Sequence, residues 1–208
     1  MSISARTIAA VTAAAAVAGV TSALAAGCGS NPKAPTASSK SAASATTSHS
    51  STASSAQAQS ADYTRLLIQA KDIEAPMAFT AGPVTTNPNG QAGVETTFSN
   101  DDKSRQIDDT ILVMGDPSAA TGALDAAKAK LGDSVDGTPG PAAVGTGGTT
   151  VSGNSPDGSK GVMVLLFTEG KAFTTLKFVG PPDMLPPPDF VTELGQKQDK
   201  AIKNGLPG

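Results

Sequence analysis

The placement of the large side chains limits which part of this chain can fold. All six Phe and the single Tyr follow residue 60, and the chain contains no Trp. A hydrophobic core depends on bulky apolar side chains, so only the part from about residue 61 onward can build one. Roughly 145 residues remain there, which is enough for one core of ordinary size without disulfides. We therefore predict a single globular domain over residues 61–208.

Charge divides at the same point. Residues 1–60 contain Arg6, Lys33 and Lys40 and no acidic residue, which leaves 12 basic and 18 acidic residues in the remainder. An acidic domain repels phosphate backbones, so nucleic acid is not an expected partner. The single cysteine, Cys28, excludes an intramolecular disulfide.

The first 27 residues predict an export signal. Arg6 is followed by an apolar, alanine-rich run that ends near Leu24. A membrane-spanning helix needs about 20 strongly apolar residues, and Ala contributes little to insertion. The run therefore indicates a signal peptide over residues 1–27 that is removed on export.

The junction before Cys28 predicts a lipid anchor. The small residues Ala25, Ala26 and Gly27 precede the cysteine, whose sulfur is the atom that carries a diacylglyceryl group. Each buried methylene contributes about 0.8 kcal/mol to membrane binding, so two or three acyl chains hold a protein stably. The alternative is ordinary cleavage after the Ala23-x-Ala25 pattern, which would leave Cys28 as a free thiol near the new N-terminus.

Replacing Cys28 with alanine tests the anchor. If the sulfur carries the lipid, the Cys28→Ala protein moves from the membrane fraction to the soluble fraction of the envelope when cells are fractionated. Retention in the membrane fraction would show that something other than Cys28 holds the protein there.

Residues 28–60 predict a lipidated cysteine followed by a disordered tether. The segment consists almost entirely of Ser, Ala, Thr, Pro, Gln and Gly, which cannot bury enough apolar area to offset the entropy of ordering. A flexible coil of that length spans roughly 30 Å on average. The only histidine, His49, lies in this tether. The domain therefore lacks Ser-His-Asp, Cys-His and His-metal chemistry, and we predict no enzyme activity, no cofactor and no metal.

The pattern after residue 61 predicts an α+β domain, an antiparallel sheet with three helices packed on it. Asp62 is the expected cap of the first helix, Asp116 with Pro117 opens the second, and Asp189 is the expected cap of the third. Gly195 lies inside the last helix, where it would allow close approach to the sheet. Apolar alternation and turn residues predict strands from Phe79 and at 91–98, 106–114, 149–152, 162–167 and 172–179.

Three local patterns suggest binding chemistry. The acids Asp101, Asp102, Asp108, Asp109 and Asp116 supply the oxygen ligands that Ca²⁺ prefers, but strand alternation sends Asp108 and Asp109 to opposite faces. Solvated loops and helix caps are the favoured interpretation. The run at 145–148 is glycine-rich but lacks the lysine of a phosphate loop. The run at 186–188 has the composition of a polyproline ligand, although such runs more often lead into a helix.

These features together resemble the small envelope lipoproteins of mycobacteria and related actinobacteria. The matching features are the Ala-rich signal, Gly27-Cys28, the Ser/Thr/Ala tether and a compact α+β domain. That family usually has Leu three residues before the cysteine, where this chain has Ala25. The opening Leu66-Leu67-Ile68-x-x-x-Asp72-Ile73 is similar to the start of the extracellular sensor domains of mycobacterial serine/threonine kinases, which carry disulfides, and the order of elements resembles LpqN-type lipoproteins.

The resemblance implies an exported protein held by its lipid at the outer face of the plasma membrane. It implies a non-enzymatic binding or sensor-like module whose partner is a cell-wall component, a lipid or a secreted protein. A lipid or glycolipid carrier is the alternative, and it requires an apolar cavity of several hundred Å³. An enzyme that uses only Asp, Glu, Ser or Lys is a third possibility, for which a buried carboxylate pair in a cleft would be the sign.

Overall fold

A computed structural model describes residues 62–206. The predicted signal peptide, Cys28 and the tether with His49 lie outside the described residues. Within 62–206 the chain forms two α-helices, eight β-strands and several single 3-10 turns. The elements are β1 (Phe79–Ala81), β2 (Thr85–Thr86), β3 (Gly93–Asn100), β4 (Gln106–Val113), α1 (Pro117–Ala129), β5 (Gly140–Pro141), β6 (Thr146–Asn154), β7 (Gly161–Glu169), β8 (Ala172–Gly180) and α2 (Pro188–Gly205).

The strands form one antiparallel sheet in the order β1-β3-β4-β8-β7-β6-β5, with β2 pairing separately to β3. Sequential hairpins join β3 to β4, β6 to β7 and β7 to β8. The central contact is between β4 and β8, which brings the two halves of the chain together. The predicted α+β class and the antiparallel sheet are confirmed.

Both faces of the sheet are covered near its centre, which explains the pattern of β7. Eight consecutive residues of β7 are buried, from Gly161 to Thr168. Met163, Leu165 and Phe167 pack into the core under α2, whereas Val162, Val164 and Leu166 pack into a second core under α1. An uninterrupted apolar run is what a strand covered on both faces requires.

Helix α1 begins as the sequence predicts. The Asp116 carboxylate accepts a hydrogen bond from the Ala119 N–H at 2.9 Å, and Pro117 occupies the first helical position. A side chain at the N-cap satisfies one of the amide groups that has no partner inside the helix. Ala120 and Leu124 are the buried residues of the helix.

Helix α2 confirms one expectation and corrects another. A Cβ added to Gly195 would lie 2.5 Å from Leu165 Cδ2, so the missing side chain permits the close approach of helix and sheet. Asp189 is not the N-cap, because the helix begins at Pro188 with Pro187 as its N-cap and no side-chain capping bond. The fixed φ of proline suits the first turn, which starts the helix earlier than the Asp pattern suggested.

The first predicted helix is replaced by two single 3-10 turns, Thr64–Leu66 and Ala70–Asp72, joined by extended backbone. Asp62 is not the N-cap of the first turn, which is Tyr63 without a side-chain capping bond, although the Asp62 carboxylate accepts a hydrogen bond from the Thr64 N–H at 3.0 Å. The segment stays extended at its centre because its backbone bonds to a side chain of α2. Gln198 Nε2 donates to the Leu66 carbonyl at 2.6 Å, and its Oε1 accepts the Ile68 N–H at 3.1 Å. These two tertiary bonds override the local helical pattern.

Candidate functional site

An apolar pocket opens at one end of the sheet, where β4 begins and β8 ends. We call it the sheet-end pocket. It has a volume of about 410 Å³, which is within the range of about 300–1,000 Å³ typical of small-molecule sites. Four segments meet here, and the lining residues are Glu74, Ala75, Pro76, Met77, Phe79, Arg105, Gln106, Ile107, Phe178, Val179, Leu185, Pro186, Pro187 and Phe190.

Aromatic and branched side chains form the inner wall of the sheet-end pocket. Ile107 and Phe178 are paired across β4 and β8 and are almost completely buried. Phe190, in the first turn of α2, contacts Phe178 edge to face with ring centroids 6.1 Å apart. This geometry is a favourable one for aromatic pairs, and it holds Phe190 at the pocket wall.

Two charged residues line the sheet-end pocket, and they are paired differently. The Glu74 carboxylate lies 2.7 Å from the Lys197 ammonium, so a protein cation already balances its charge. Arg105 Nη1 donates to the Met184 carbonyl at 3.3 Å. Among residues 62–206 no carboxylate lies within 4.0 Å of the Arg105 guanidinium. The pocket therefore combines an apolar wall with one cation that has no anionic protein partner in this part of the chain.

The loop between β8 and α2 forms one rim of the sheet-end pocket. Its tip carries Met184 and Leu185, which are 52% and 38% exposed. Asp183 adopts a left-handed backbone (φ 59°) and exchanges two hydrogen bonds with the Asn154 side chain, at 2.9 and 3.2 Å. Met77, 36% exposed, lies on the other rim. Anchored on both sides, the loop presents apolar side chains at the pocket mouth.

The second cleft on this layer is more polar. It has a volume of about 550 Å³ and lies between the 3-10 turns and the C-terminal half of α2. Two of its three cations bond to backbone carbonyls, since Lys197 donates to the Asp72 carbonyl at 2.8 Å and Arg65 Nε donates to the Gly205 carbonyl at 2.7 Å. These contacts attach the N-terminal segment to α2. The third cation, Lys200, is exposed.

The acids considered as calcium ligands are dispersed in the structure. Asp102 accepts hydrogen bonds from Ser104 in the β3–β4 turn, and Asp116 caps α1. Asp108 accepts the Thr97 hydroxyl at 2.8 Å on the half-buried face of the sheet. No group of three His, Cys, Asp or Glu residues within 62–206 is placed to hold a metal ion. Asp101, like Asp102, lies exposed in the turn.

Asp109 is buried, although the sequence favoured a solvated position for these acids. It lies on the face of β4 opposite Asp108, as strand alternation predicts, but that face is covered by the α2 layer and the residue is 0% exposed. Within the described residues neither carboxylate oxygen has a hydrogen-bond partner. Burial raises the pKa of Asp109 well above its usual value, because the charged form is poorly solvated in the core. Asp109 does not line the sheet-end pocket.

One carboxyl pair approaches the arrangement expected of an acid–base enzyme. Burial and the neighbouring Asp199 carboxyl raise the pKa of Glu169. Between them lies the Lys203 ammonium, 2.6 Å from Asp199 and 3.4 Å from Glu169. The Asp199 hydrogen bond raises the pKa of Lys203, which keeps the ammonium charged. The cluster is an ion-pair network at the C-terminal end of α2, in which one ammonium contacts two carboxyl groups.

The glycine run and the proline run have structural explanations. Gly145 has a left-handed backbone, and an added Cβ would lie 2.6 Å from the Phe167 ring. Residues 146–148 of the run form the start of β6, and no helix follows the run directly, unlike in a phosphate loop. Pro186 and Pro187 line the sheet-end pocket, and Pro188 begins α2. The proline run therefore leads into a helix, as the sequence favoured, but no sequence pattern indicated the pocket beside it.

The fold and the site define an α+β domain with an apolar pocket at the end of its sheet. The sequence matches no protein-family profile and no curated protein. The structure is similar to the extracellular domain of PknH from Mycobacterium tuberculosis, with 10% sequence identity and a TM-score of 0.47 over 65% of this chain and 93% of that one. Neither α-helix in the part described is long and apolar enough to cross a membrane.

Proposed function

We propose that this protein is a non-enzymatic binding module of the cell envelope that holds an apolar ligand in the sheet-end pocket. The observation that carries this proposal is the pocket itself, about 410 Å³ in volume and walled by Phe79, Ile107, Phe178 and Phe190. Phe79 and Phe190 are half-buried and Met77 and Leu185 are exposed, and apolar surface in contact with water is costly unless it meets an apolar partner. A ligand chain inserted here would cover them.

The residues available to the domain favour binding over catalysis. Its sequence contains neither His nor Cys. The half-buried Glu169 and Asp199 both contact Lys203, and Asp109 is enclosed away from the sheet-end pocket. The pocket lining itself supplies one carboxylate, Glu74, which pairs with Lys197. We therefore assign no catalytic residue.

The proposed location follows from the N-terminal sequence. A diacylglyceryl group on Cys28 would hold the protein at the outer face of the membrane, and the tether would let the domain move roughly 30 Å from it. Lipids and apolar wall components are within that reach. The expected partners are therefore the membrane, through the anchor, and an apolar molecule of the envelope or a secreted protein that presents one.

The alternative is a lipid or glycolipid carrier, and the pocket volume meets the size that a carrier requires. The two functions differ in occupancy, because a carrier keeps its cargo during isolation whereas a sensor exchanges its ligand. Native mass spectrometry of the Cys28→Ala chain, isolated from its own envelope without detergent, distinguishes them. Co-purified lipid would favour the carrier, and an empty monomer would favour the binding module.

Blocking the sheet-end pocket tests the proposal directly. Ala75 is half-buried in the pocket lining, so Ala75→Trp places a large side chain in the space that the ligand would use. We expect Nile red, a neutral apolar dye, to bind the Cys28→Ala chain with a rise in fluorescence, and Ala75→Trp to weaken that binding about tenfold or more.

The matched control is Ala126→Trp on the exposed side of α1, away from the pocket. It introduces the same side chain and should leave dye binding unchanged. Equal binding by the wild type and both variants, with circular dichroism showing both folded, would show that the dye does not occupy the sheet-end pocket and would refute the proposal.

A further inference from the structure

We propose that the ligand of the sheet-end pocket is a single-chain amphiphile with an anionic head group that pairs with Arg105. This inference rests on the proposed function and adds the chemical class of the ligand. It commits to a carboxylate or phosphate head beside an apolar chain. The reason is the charge at the pocket mouth, which the protein leaves unbalanced in the part of the chain described.

The pairing of the pocket charges is asymmetric. Glu74 is balanced by Lys197 at 2.7 Å, whereas Arg105 is bonded to a neutral carbonyl at 3.3 Å. A guanidinium has five N–H donors in a planar fork, and the Met184 carbonyl engages one of its nitrogens. The remaining donors are free of side-chain carboxylates within residues 62–206. They match the two oxygens of a carboxylate or a phosphate.

The surroundings of Arg105 favour an anion that carries an apolar chain. The residue lies at the start of β4 beside Gln106 and Ile107, so its half-buried side chain borders the apolar wall. An ion pair beside low-dielectric walls is stronger than one in open water. A small polar anion would leave the half-buried Phe79 and Phe190 uncovered, whereas an acyl chain would cover them while its head group reached Arg105.

The proposal is tested by displacing Nile red from the full-length Cys28→Ala chain with four compounds that share one chain length. Dodecanoate and dodecyl phosphate are anions, dodecanol is neutral and dodecyltrimethylammonium is a cation. We expect both anions to displace the dye at concentrations about five- to tenfold lower than dodecanol, as a partly exposed charge-assisted pair predicts. The anion that displaces the dye at the lower concentration shows whether the ligand is a fatty acid or a phosphorylated lipid.

Variants assign the preference to Arg105. Arg105→Gln should abolish the preference for the anions over dodecanol, a ratio that a general change in pocket affinity would not move. Arg105→Lys keeps the charge without the fork, so part of the preference should remain. Lys160→Gln, the same loss of charge in the exposed β6–β7 turn at this end of the sheet, is the control and should behave as the wild type does.

The outcomes separate the two proposals. Binding of Nile red and dodecanol without any preference for anions would overturn the anionic ligand and leave the apolar pocket standing. Equal effects of Lys160→Gln and Arg105→Gln on the preference for anions would likewise overturn the anionic ligand and leave the apolar pocket standing. Failure of Nile red and all four compounds to bind would refute both the ligand class and the proposed function.

Discussion

Replacing Gln198 with leucine should lower the free energy of unfolding by about 2–5 kcal/mol, because the change leaves two buried backbone groups without partners. Gln198 is 0% exposed, and its amide bonds both the Leu66 carbonyl and the Ile68 N–H. These bonds fix the N-terminal segment on α2. Leucine can fill the space, but it can neither donate a hydrogen bond to the Leu66 carbonyl nor accept one from the Ile68 N–H.

Urea denaturation followed by circular dichroism measures this effect, and the Ile68 amide should exchange with deuterium faster in the variant. Gln196→Leu provides the matched control, since Gln196 is exposed on the same helix and its only side-chain bond in the described part is a 3.4 Å contact to the Ala143 carbonyl. Its effect should stay within about 0.5 kcal/mol. A midpoint for Gln198→Leu equal to that of the control would contradict the role assigned to the Gln198 amide.

Replacing Asp109 with asparagine should stabilise the protein at neutral pH and remove a pH dependence. Burial raises the pKa of Asp109 in the folded state above the unfolded value of about 3.9. The unfolded chain then releases a proton that the folded chain retains. Asp109 therefore favours folding fully only below its unfolded pKa, and this contribution is lost as the pH rises toward the folded pKa. The loss amounts to as much as about 1.4 kcal/mol per pH unit over that window.

The measurement is the free energy of unfolding of the wild type and Asp109→Asn from pH 4 to pH 8. The free energy of unfolding of Asp109→Asn should exceed that of the wild type by a growing amount as the pH rises. Asp108→Asn is the control, because that side chain lies on the half-buried opposite face and accepts the Thr97 hydroxyl. Parallel pH profiles for the wild type and Asp109→Asn would show that the Asp109 carboxyl is not perturbed by burial.

The segments with strong local signals were predictable from the sequence. Asp116 and Pro117 mark the start of α1 because capping depends on neighbouring residues alone. The alternation in β8 and the turn at Gly170 fix the β7–β8 hairpin, whose register is set by adjacent residues. The first predicted helix and the predicted cap at Asp189 were wrong, because tertiary bonds and a proline at the first helical position outweighed the local pattern.

The sheet-end pocket could not be predicted in the same way. Ala75, Arg105, Phe178 and Phe190 come from four separate segments, and they meet because β4 pairs with β8 and α2 folds back over the sheet. Local patterns report on which face a residue lies but not on which distant residue it will contact. The proline run at 186–188 was the nearest signal, and it indicated only a rigid connection.

By itself the sequence determined the α+β class and the start of α1, because each depends on composition or on the pattern of residues along one segment. The tertiary structure alone decided that Asp109 is enclosed without a partner, that Gln198 holds the N-terminal segment, and that Arg105 stands at the mouth of an apolar pocket. Each of these depends on contacts between residues far apart in the chain, which appear only when the layers pack together.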